Sequence, residues 1–252
     1  PVKSMQGDSP AEVTLDAGGI VDDRTWALRD TETGKLVSAK RPRPWRAALD
    51  CRANGSGDDV EITLPSGEVF GIHDPGLPVA LEALFGRTVG VERAERPQQG
   101  VYDSEWPEID GLTLAGDIEL PTNLTGEGTS FVDLGILHVL TTSSMATIAA
   151  EEPELVLDVR RFRPSILLDT PAHGGFLGDG PDAAEIVLGD PTPRCIMTTL
   201  AQGDLPRQPG VLQTIARRNR RSNELGSFAC LGAYATVARP GVVRAGDVVE
   251  LI

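Results

Sequence analysis

Cysteine and histidine are scarce in this sequence, and the few that occur are widely separated. The 252 residues contain three of each, at Cys51, Cys195, Cys230, His73, His138 and His173. Three cysteines cannot build a disulfide framework, and their spacing matches no zinc or iron–sulfur pattern. The histidines form no recognisable metal signature, so each is expected to be a surface or core residue. This cysteine usage fits a reducing, cytoplasmic compartment.

Positive charge is also scarce, and long apolar runs are missing. Lys and Arg number 23 against 37 Asp and Glu, which gives a formal net charge of −14 at pH 7. Diffuse negative charge of this size argues against nucleic acid and anionic lipid as partners. No apolar run approaches the length of a membrane span, and no signal peptide opens the chain. We therefore expect no membrane partner.

Short segments with apolar residues at alternate positions dominate the chain, and this period of two predicts strands. The predicted strands cover residues 12–15, 25–28, 36–39, 47–53, 60–64, 69–72, 138–141, 162–169, 185–188, 194–200, 234–238 and 248–252. Helices are predicted at 78–85, from Ser143 onwards, and at 211–218. The pattern predicts a mainly β fold with a few helices, of the α+β class and with a β-barrel-like architecture. A stretch rich in Gly, Pro and acidic residues at 93–121 places a domain boundary, which gives domains 1–120 and 121–252.

The segment around Cys195 is the most suggestive for chemistry. Pro191 and Pro193 stiffen the approach, and Arg194 and Cys195 then stand at the start of a predicted strand. A neighbouring guanidinium favours the thiolate, which is the form that ligates soft metals or accepts sulfur. The alternative is a buried cysteine at the end of a strand, and the spacing alone leaves both interpretations open.

Two arginines at strand spacing suggest an anion site. If residues 162–169 and their N-terminal flank are extended, Arg161 and Arg163 point to the same face. Two adjacent guanidiniums repel each other unless an anion or carboxylates lie between them, and phosphate matches their fork geometry. Salt bridges to the many carboxylates of the chain are the alternative. The basic run at 217–221 follows a predicted helix end, where the helix dipole explains it.

Five segments in order resemble the MOSC family, which is named after the C-terminal domain of molybdenum-cofactor sulfurase. They begin at Pro1-Val2-Lys3-Ser4, Asp23-Arg24-Thr25-Trp26, Arg161-Phe162-Arg163-Pro164, Pro193-Arg194-Cys195-Ile196 and Tyr234-Ala235-Thr236-Val237. The resemblance spans nearly the whole chain. It implies a β-barrel MOSC domain at 121–252 that follows a MOSC N-terminal β-barrel-like domain at 1–120.

The resemblance also implies a cofactor and its ligands. The family includes the mitochondrial amidoxime-reducing component and bacterial proteins that reduce N-hydroxylated compounds, and these hold a pyranopterin molybdenum cofactor between two lobes. Carried onto this sequence, it makes Cys195 the catalytic residue and the thiolate ligand of molybdenum. The residues implied to bind the pterin and its phosphate, or to line the same pocket, are Lys3, Ser4, Arg24, Thr141, Thr142, Ser143, Arg161, Arg163 and Ser165.

Two departures from the family pattern bear on substrate specificity more than on cofactor binding. Ser165 stands where reducing members usually carry asparagine, and residues 175–190 lack an expected segment that contains tryptophan. The function implied first is an oxidoreductase that reduces the N–O bond of a small N-hydroxylated substrate. Its electrons are expected from a separate donor protein, such as a ferredoxin or flavoprotein. The alternatives are a sulfur carrier or transferase with a persulfide on Cys195, and a cofactor-binding module without catalysis.

Overall fold

Short strands joined by turns make up most of the structure, a computed structural model that describes residues 1–124, 128–170 and 184–250. The strands are β1 Glu12–Asp16, β2 Gly19–Ile20, β3 Trp26–Asp30, β4 Arg52–Asn54, β5 Glu61–Thr63, β6 Val69–Gly71, β7 Val89–Arg93, β8 Val101–Trp106, β9 Gly116–Pro121, β10 Leu137–Thr141, β11 Ile166–Leu168, β12 Glu185–Pro193, β13 Arg220–Asn223, β14 Gly226–Arg239 and β15 Gly241–Arg244. The α-helices are α1 Pro42–Trp45, α2 Leu77–Phe85, α3 Thr142–Glu151 and α4 Gly210–Arg218. Short 3-10 helices span Arg46–Asp50, Val159–Arg161 and Ile196–Thr199. The predicted mainly β, α+β class is confirmed.

The largest sheet lies in the second half of the chain. Its strand order is β11-β10-β14-β12, and β13 pairs with β14. β10 and β11 are parallel, whereas β14 is antiparallel to its partners. Helix α4 packs its apolar face on this sheet, where Val211, Leu212 and Ile215 join a buried cluster with Leu140 and Leu231.

The first half of the chain forms smaller sheets around its own core. The strands pair as β3-β7, β4-β5-β6 and β8-β9. Trp26, Leu28, Ile62, Leu77 and Leu81 are buried together between these strands and α2. The 93–121 stretch, predicted to contain the domain boundary, includes both β8 and β9. Along β8, Tyr102, Ser104 and Trp106 are buried at alternate positions, as expected for a strand with one inward face.

One sheet joins residues from the two ends of the chain. β1 pairs with β15 on one side and with β2 on the other. Leu15 of β1 is fully buried in a cluster with Leu137, Val139 and Ala235. None of the sheets in the described ranges closes into a ring, so the β-barrel detail stays a prediction, as does the boundary at 120/121.

Several local predictions were wrong. Residues 47–53 form mainly a 3-10 helix instead of a strand, and 36–39 contribute only an isolated bridge at Leu36. No strand was predicted at 241–244, yet these residues form β15, because β1 supplies their hydrogen-bond partners. Residues 248–250 are not a strand. No helix in the described ranges has both the length and the apolar character that a membrane crossing needs.

Candidate functional site

Cys195 lies at the end of a strand, immediately before a tight turn of helix. β12 ends at Pro193, which pairs with Cys230 of β14, and a 3-10 helix begins at Ile196. The strand predicted over 194–200 was therefore wrong. Thr198 explains the difference, because both its backbone N–H and its hydroxyl donate to the Cys195 carbonyl, at 3.3 and 3.1 Å. Such local side-chain bonds compete with strand pairing.

The three cysteines differ in their surroundings. All three are free and buried, as expected from their number. Burial raises the pKa of Cys51 to about 12 and that of Cys230 to about 11. Cys195 instead lies in the wall of a cavity that it shares with several cationic side chains. Of the three thiols, only Cys195 therefore meets a pocket with charged walls.

This cavity has a volume of about 80 Å³ and draws on both halves of the chain. Of the residues predicted for the site, it brings together Lys3, Ser4, Arg24, Arg161, Arg163, Ser165 and Cys195. Residues not predicted for the site also line it: Ser38, Lys40, Asp133, His138, Thr192, Arg194 and Tyr234.

Lys3 and Lys40 share one carboxylate at one end of the cavity. The Asp133 carboxylate forms one ion pair with Lys3 and another with Lys40, the latter at 3.0 Å. Both ammonium groups also lie over the Tyr102 ring, at 4.3 and 5.1 Å from its centroid. Burial lowers the pKa of Lys3 to about 8, although Asp133 opposes this shift. Burial also disfavours the charged form of Lys40. The attraction of the Asp133 carboxylate outweighs this effect, and the pKa of Lys40 is raised well above its usual value.

Arg24 and Arg163 stand close to each other in the cavity wall. Arg24 is paired with Asp23 at 2.8 Å, and Arg163 donates to the Met5 carbonyl at 2.6 Å. Burial, followed by the charge of the nearby Arg24, lowers the pKa of Arg163 to about 10. Ser4, Arg24 and Arg163 all have positive φ, of 68°, 52° and 51°. Left-handed backbone at residues other than glycine is costly and concentrates at functional sites.

The extended backbone predicted at Arg161 and Arg163 was wrong, although both residues line the cavity. Val159–Arg161 is a 3-10 helix, because Asp158 caps its first turn and accepts from the Arg160 N–H. The guanidinium of Arg161 is buried, and its donors reach four backbone carbonyls and one side-chain oxygen: Val156 O, Thr198 O, Leu200 O, Pro206 O and Gln208 Oε1. A guanidinium has five N–H donors. Arg161 therefore has no donor left for an anion, and its role is structural.

Thr141, Thr142 and Ser143 do not line the cavity, although they were expected there. Thr141 caps helix α3 by accepting from the Ser144 N–H. Thr142 donates to Asp169 at 2.9 Å, and the Ser143 hydroxyl is 2.7 Å from that of Thr170. These hydroxyls are used to fix the start of α3 against the end of β11.

Ser165 and the missed residue His138 are bonded to each other across β10 and β11. The Ser165 hydroxyl accepts from the His138 N–H at 3.1 Å, and the Ser165 N–H donates to the His138 carbonyl at 2.8 Å. Burial, followed by the charge of Arg194, lowers the pKa of His138 to about 3, so the imidazole is neutral at pH 7. His73 is exposed and His173 lies outside the described residues.

The cavity wall fits an anionic group. Among the described residues, Lys3, Arg24, Lys40, Arg163 and Arg194 supply positive charge to the cavity, and Asp133 is the one carboxylate in its lining. Thr192 Oγ1 and Arg194 Nε are buried without a hydrogen-bond partner among the described residues. Buried donors of this kind are rare unless a ligand or water completes them. A volume of about 80 Å³ suits a phosphate-sized group, whereas small-molecule pockets typically reach roughly 300–1,000 Å³.

Sequence reasoning missed Lys40, Asp133 and His138 because they carry no local motif. Ser38-Ala39-Lys40 looked like part of a hairpin, and Asp133 follows an unremarkable Phe131-Val132 pair. Arg194 was noticed only as a neighbour of Cys195. The scarcity of cations in so acidic a chain was the one available signal for Lys40.

Comparison with protein families gives one match. Residues 129–250 match the family model described as MOSC domain. The matched range contains Asp133, His138, Arg163, Arg194 and Cys195 of the cavity, whereas Lys3, Arg24 and Lys40 precede it. No curated protein matches the chain.

Proposed function

Because this chain belongs to the MOSC domain family through residues 129–250, we propose that it binds the molybdenum cofactor and reduces N–O bonds with it. The observation that carries the proposal is one buried thiol, Cys195, in the wall of a cavity that several cationic side chains also line. A thiolate suits a soft metal, and guanidinium groups suit the phosphate of a pyranopterin.

The residues divide by chemistry. Cys195 is proposed as the protein ligand of molybdenum, since among the described residues it is the one cysteine in the lining of the cavity. Lys3, Arg24 and Arg163 are proposed to bind the cofactor phosphate. Ser4 and Ser165 would contribute hydroxyl contacts, although each already accepts a backbone N–H, from Ala39 and His138.

The bound cofactor would supply two-electron chemistry at the metal, and the chain would supply the surroundings. Burial of Cys195 excludes bulk water from the reacting centre. Lys40 and Arg194 lie close enough to Cys195 to interact with it electrostatically, so they place positive charge beside the reacting centre. Reduction of an N–OH group takes two electrons and two protons and releases the amine and water. The electrons are proposed to come from a separate donor protein, and the substrate to be a small N-hydroxylated compound such as an amidoxime.

The direct test is metal and pterin content of the purified chain. We expect about one molybdenum per chain in the parent, measured by mass spectrometry of the metal, together with pterin fluorescence after oxidation. Cys195→Ser should abolish amidoxime reduction at an unchanged melting temperature. Cys51→Ser and Cys230→Ser are matched controls and should keep activity, because each thiol faces a backbone carbonyl that a serine can also reach.

The other outcomes identify the competing functions. Molybdenum with pterin but no turnover with any N-hydroxylated substrate would indicate a binding module. A metal-free chain that releases sulfur from Cys195 on treatment with cyanide would contradict the proposal and indicate a sulfur carrier. Full activity of Cys195→Ser would overturn the assignment of the thiol.

A further inference from the structure

His138 and Arg194 form a hydrogen-bonded pair in the wall of the cavity. His138 lies on β10 and is 8% exposed, and its Nε2 is 3.3 Å from Nη1 of Arg194. The same guanidinium donates through Nη2 to the Phe162 carbonyl at 2.7 Å and lies over the Phe162 ring. The backbone of Arg194 is fixed by its N–H, which donates to Ala229 at 2.8 Å.

The donors and acceptors around the imidazole select one tautomer. Nε2 also lies 3.3 Å from the Leu231 carbonyl, so it meets a donor on one side and an acceptor on the other. A guanidinium can only donate, and a carbonyl can only accept. A neutral imidazole Nε2 can therefore satisfy one of these neighbours and not both.

The second ring nitrogen resolves the choice. The backbone of Arg163 presents a second acceptor to the imidazole, since it favours the protonated ring as the Leu231 carbonyl does. The Arg163 N–H already donates to the Val159 carbonyl at 3.1 Å, so the carbonyl of Arg163 is the group that faces the ring. Nε2 already has Arg194 and Leu231 as neighbours, so we assign this carbonyl to Nδ1, which then carries the proton. Nε2 then carries a lone pair and accepts from Arg194.

The surrounding backbone leaves room for the ring in this position. Gly232 of β14 has φ +81°, and a Cβ atom there would lie 2.4 Å from His138 Nε2. Glycine is therefore required opposite the ring. Ser165 holds the backbone of His138 from the other side through two hydrogen bonds.

We infer that neutral His138, protonated on Nδ1, is a positioning residue that holds the Arg194 guanidinium at the cavity beside Cys195, so that the thiol is approached preferentially by anions. Arg194 retains a buried Nε donor that has no partner among the described residues, and its guanidinium lies close enough to Cys195 for an electrostatic interaction. The inference concerns the chain itself and does not rest on the proposed function.

The test compares two small alkylating reagents that differ in charge. The full chain is expressed in a host that does not make the molybdenum cofactor, and modification of Cys195 is followed by peptide mass spectrometry. In both reactions the sulfur attacks the methylene carbon and iodide leaves. We expect the ratio of the iodoacetate rate to the iodoacetamide rate to fall about tenfold in His138→Leu. His138→Gln should restore most of the ratio, since its amide oxygen can accept from Arg194.

A purely structural role would change the two rates by the same factor and leave their ratio unaltered, which would overturn the inference. The inference is also overturned if His138→Gln restores the rate ratio no better than His138→Leu while both variants keep the melting temperature of the parent. If reagent access to the buried thiol is too slow to measure, nitrogen NMR of labelled histidine decides. We expect the Nδ1–H tautomer at pH 7 for the signal that disappears in His138→Gln, and an Nε2–H tautomer or a doubly protonated ring would overturn the inference.

Discussion

Arg161 and Arg163 lie two positions apart but have different surroundings. The donors of Arg161 are filled by oxygens of the 156–208 region, whereas Arg163 has one backbone partner and lines the cavity with Arg24. Charge alone therefore does not identify a ligand-binding arginine. A ligand-binding arginine is identified by the number of its N–H donors that the fold leaves free.

Replacing Arg161 should damage the fold. Arg161→Met leaves several buried carbonyls without a donor, and we expect the free energy of unfolding to fall by about 3–5 kcal/mol. Arg160→Met is the matched control, because Arg160 is half exposed and pairs with Asp158 and Asp204 at the surface. It should cost less than about 1 kcal/mol. Urea denaturation measures both values, and a neutral Arg161→Met would contradict the structural role.

His138 should make stability depend on pH. Its pKa is lowered from 6.5 to about 3 by burial, so between these values the unfolded chain binds more protons than the folded chain. Stability is then lost as the pH falls below about 6.5. Between pH 7.5 and pH 5 this one residue should remove about 2 kcal/mol from the free energy of unfolding.

His138→Gln tests that slope, because it removes the titrating group and keeps an acceptor for Arg194. Its free energy of unfolding should fall less than that of the parent over the same interval. His73→Gln, at an exposed ring outside the cavity, is the control for the loss of a histidine elsewhere in the chain. Equal slopes in the parent and His138→Gln would contradict the prediction.

The residues predictable from the sequence are those that sit in contiguous motifs. Lys3, Ser4, Arg24, Arg163, Ser165 and Cys195 were named from such motifs, and the fold brings them to one cavity. Lys40, Asp133 and His138 reach it from positions without a motif. Their role depends on which side of a strand or turn meets the cavity, and that is decided by long-range packing.

At the scale of elements, periodicity predicted most of the helices and strands but not their partners. The pattern at α2 and α4 gave both helices to within a residue or two. The pairing of β1 with β15 joins residues more than 200 positions apart, and no local signal announces it. Cys195 to Leu200 shows the converse case, in which threonine hydroxyls bond locally and replace an expected strand by a 3-10 helix.

Gly232 of β14 packs directly against His138, which lines the cavity. In Gly232→Ala the added Cβ would lie 2.4 Å from His138 Nε2 and 2.5 Å from the Val139 carbonyl, at a φ that disfavours side chains. We expect the free energy of unfolding to fall by about 2–4 kcal/mol. Gly34→Ala isolates the backbone contribution, because its φ is +70° and nothing lies within 4 Å of the added atom. It should cost about 1 kcal/mol.

Thermal and urea unfolding of the two variants give the comparison. A Gly232→Ala cost no larger than that of Gly34→Ala would show that the ring and the strand can move aside. That result would also weaken the fixed position assigned to His138.

At the scale of the whole molecule, charge is distributed unevenly. The chain carries a formal net charge of −14, yet cations collect around one small cavity. Arg24 comes from the first half of the chain, and Arg163 and Arg194 come from the second. Holding like charges together in a buried place is unfavourable unless anions compensate them, and Asp23 and Asp133 do so only in part. An anionic ligand would complete the compensation.

Arg24 therefore provides the test of a site shared by both halves. Its backbone carbonyl accepts from the Phe131 N–H at 2.7 Å, so its position is tied directly to the MOSC-matched region. Each charge-assisted contact to a phosphate is worth roughly 1.5–3 kcal/mol. Arg24→Ala should therefore weaken retention of the cofactor by about ten- to a hundredfold without unfolding the chain. Arg46→Ala is the control, since Arg46 pairs with Asp50 away from the cavity. Bound molybdenum and pterin per chain are measured after dialysis, and equal occupancy in Arg24→Ala and Arg46→Ala would leave Arg24 outside the binding site.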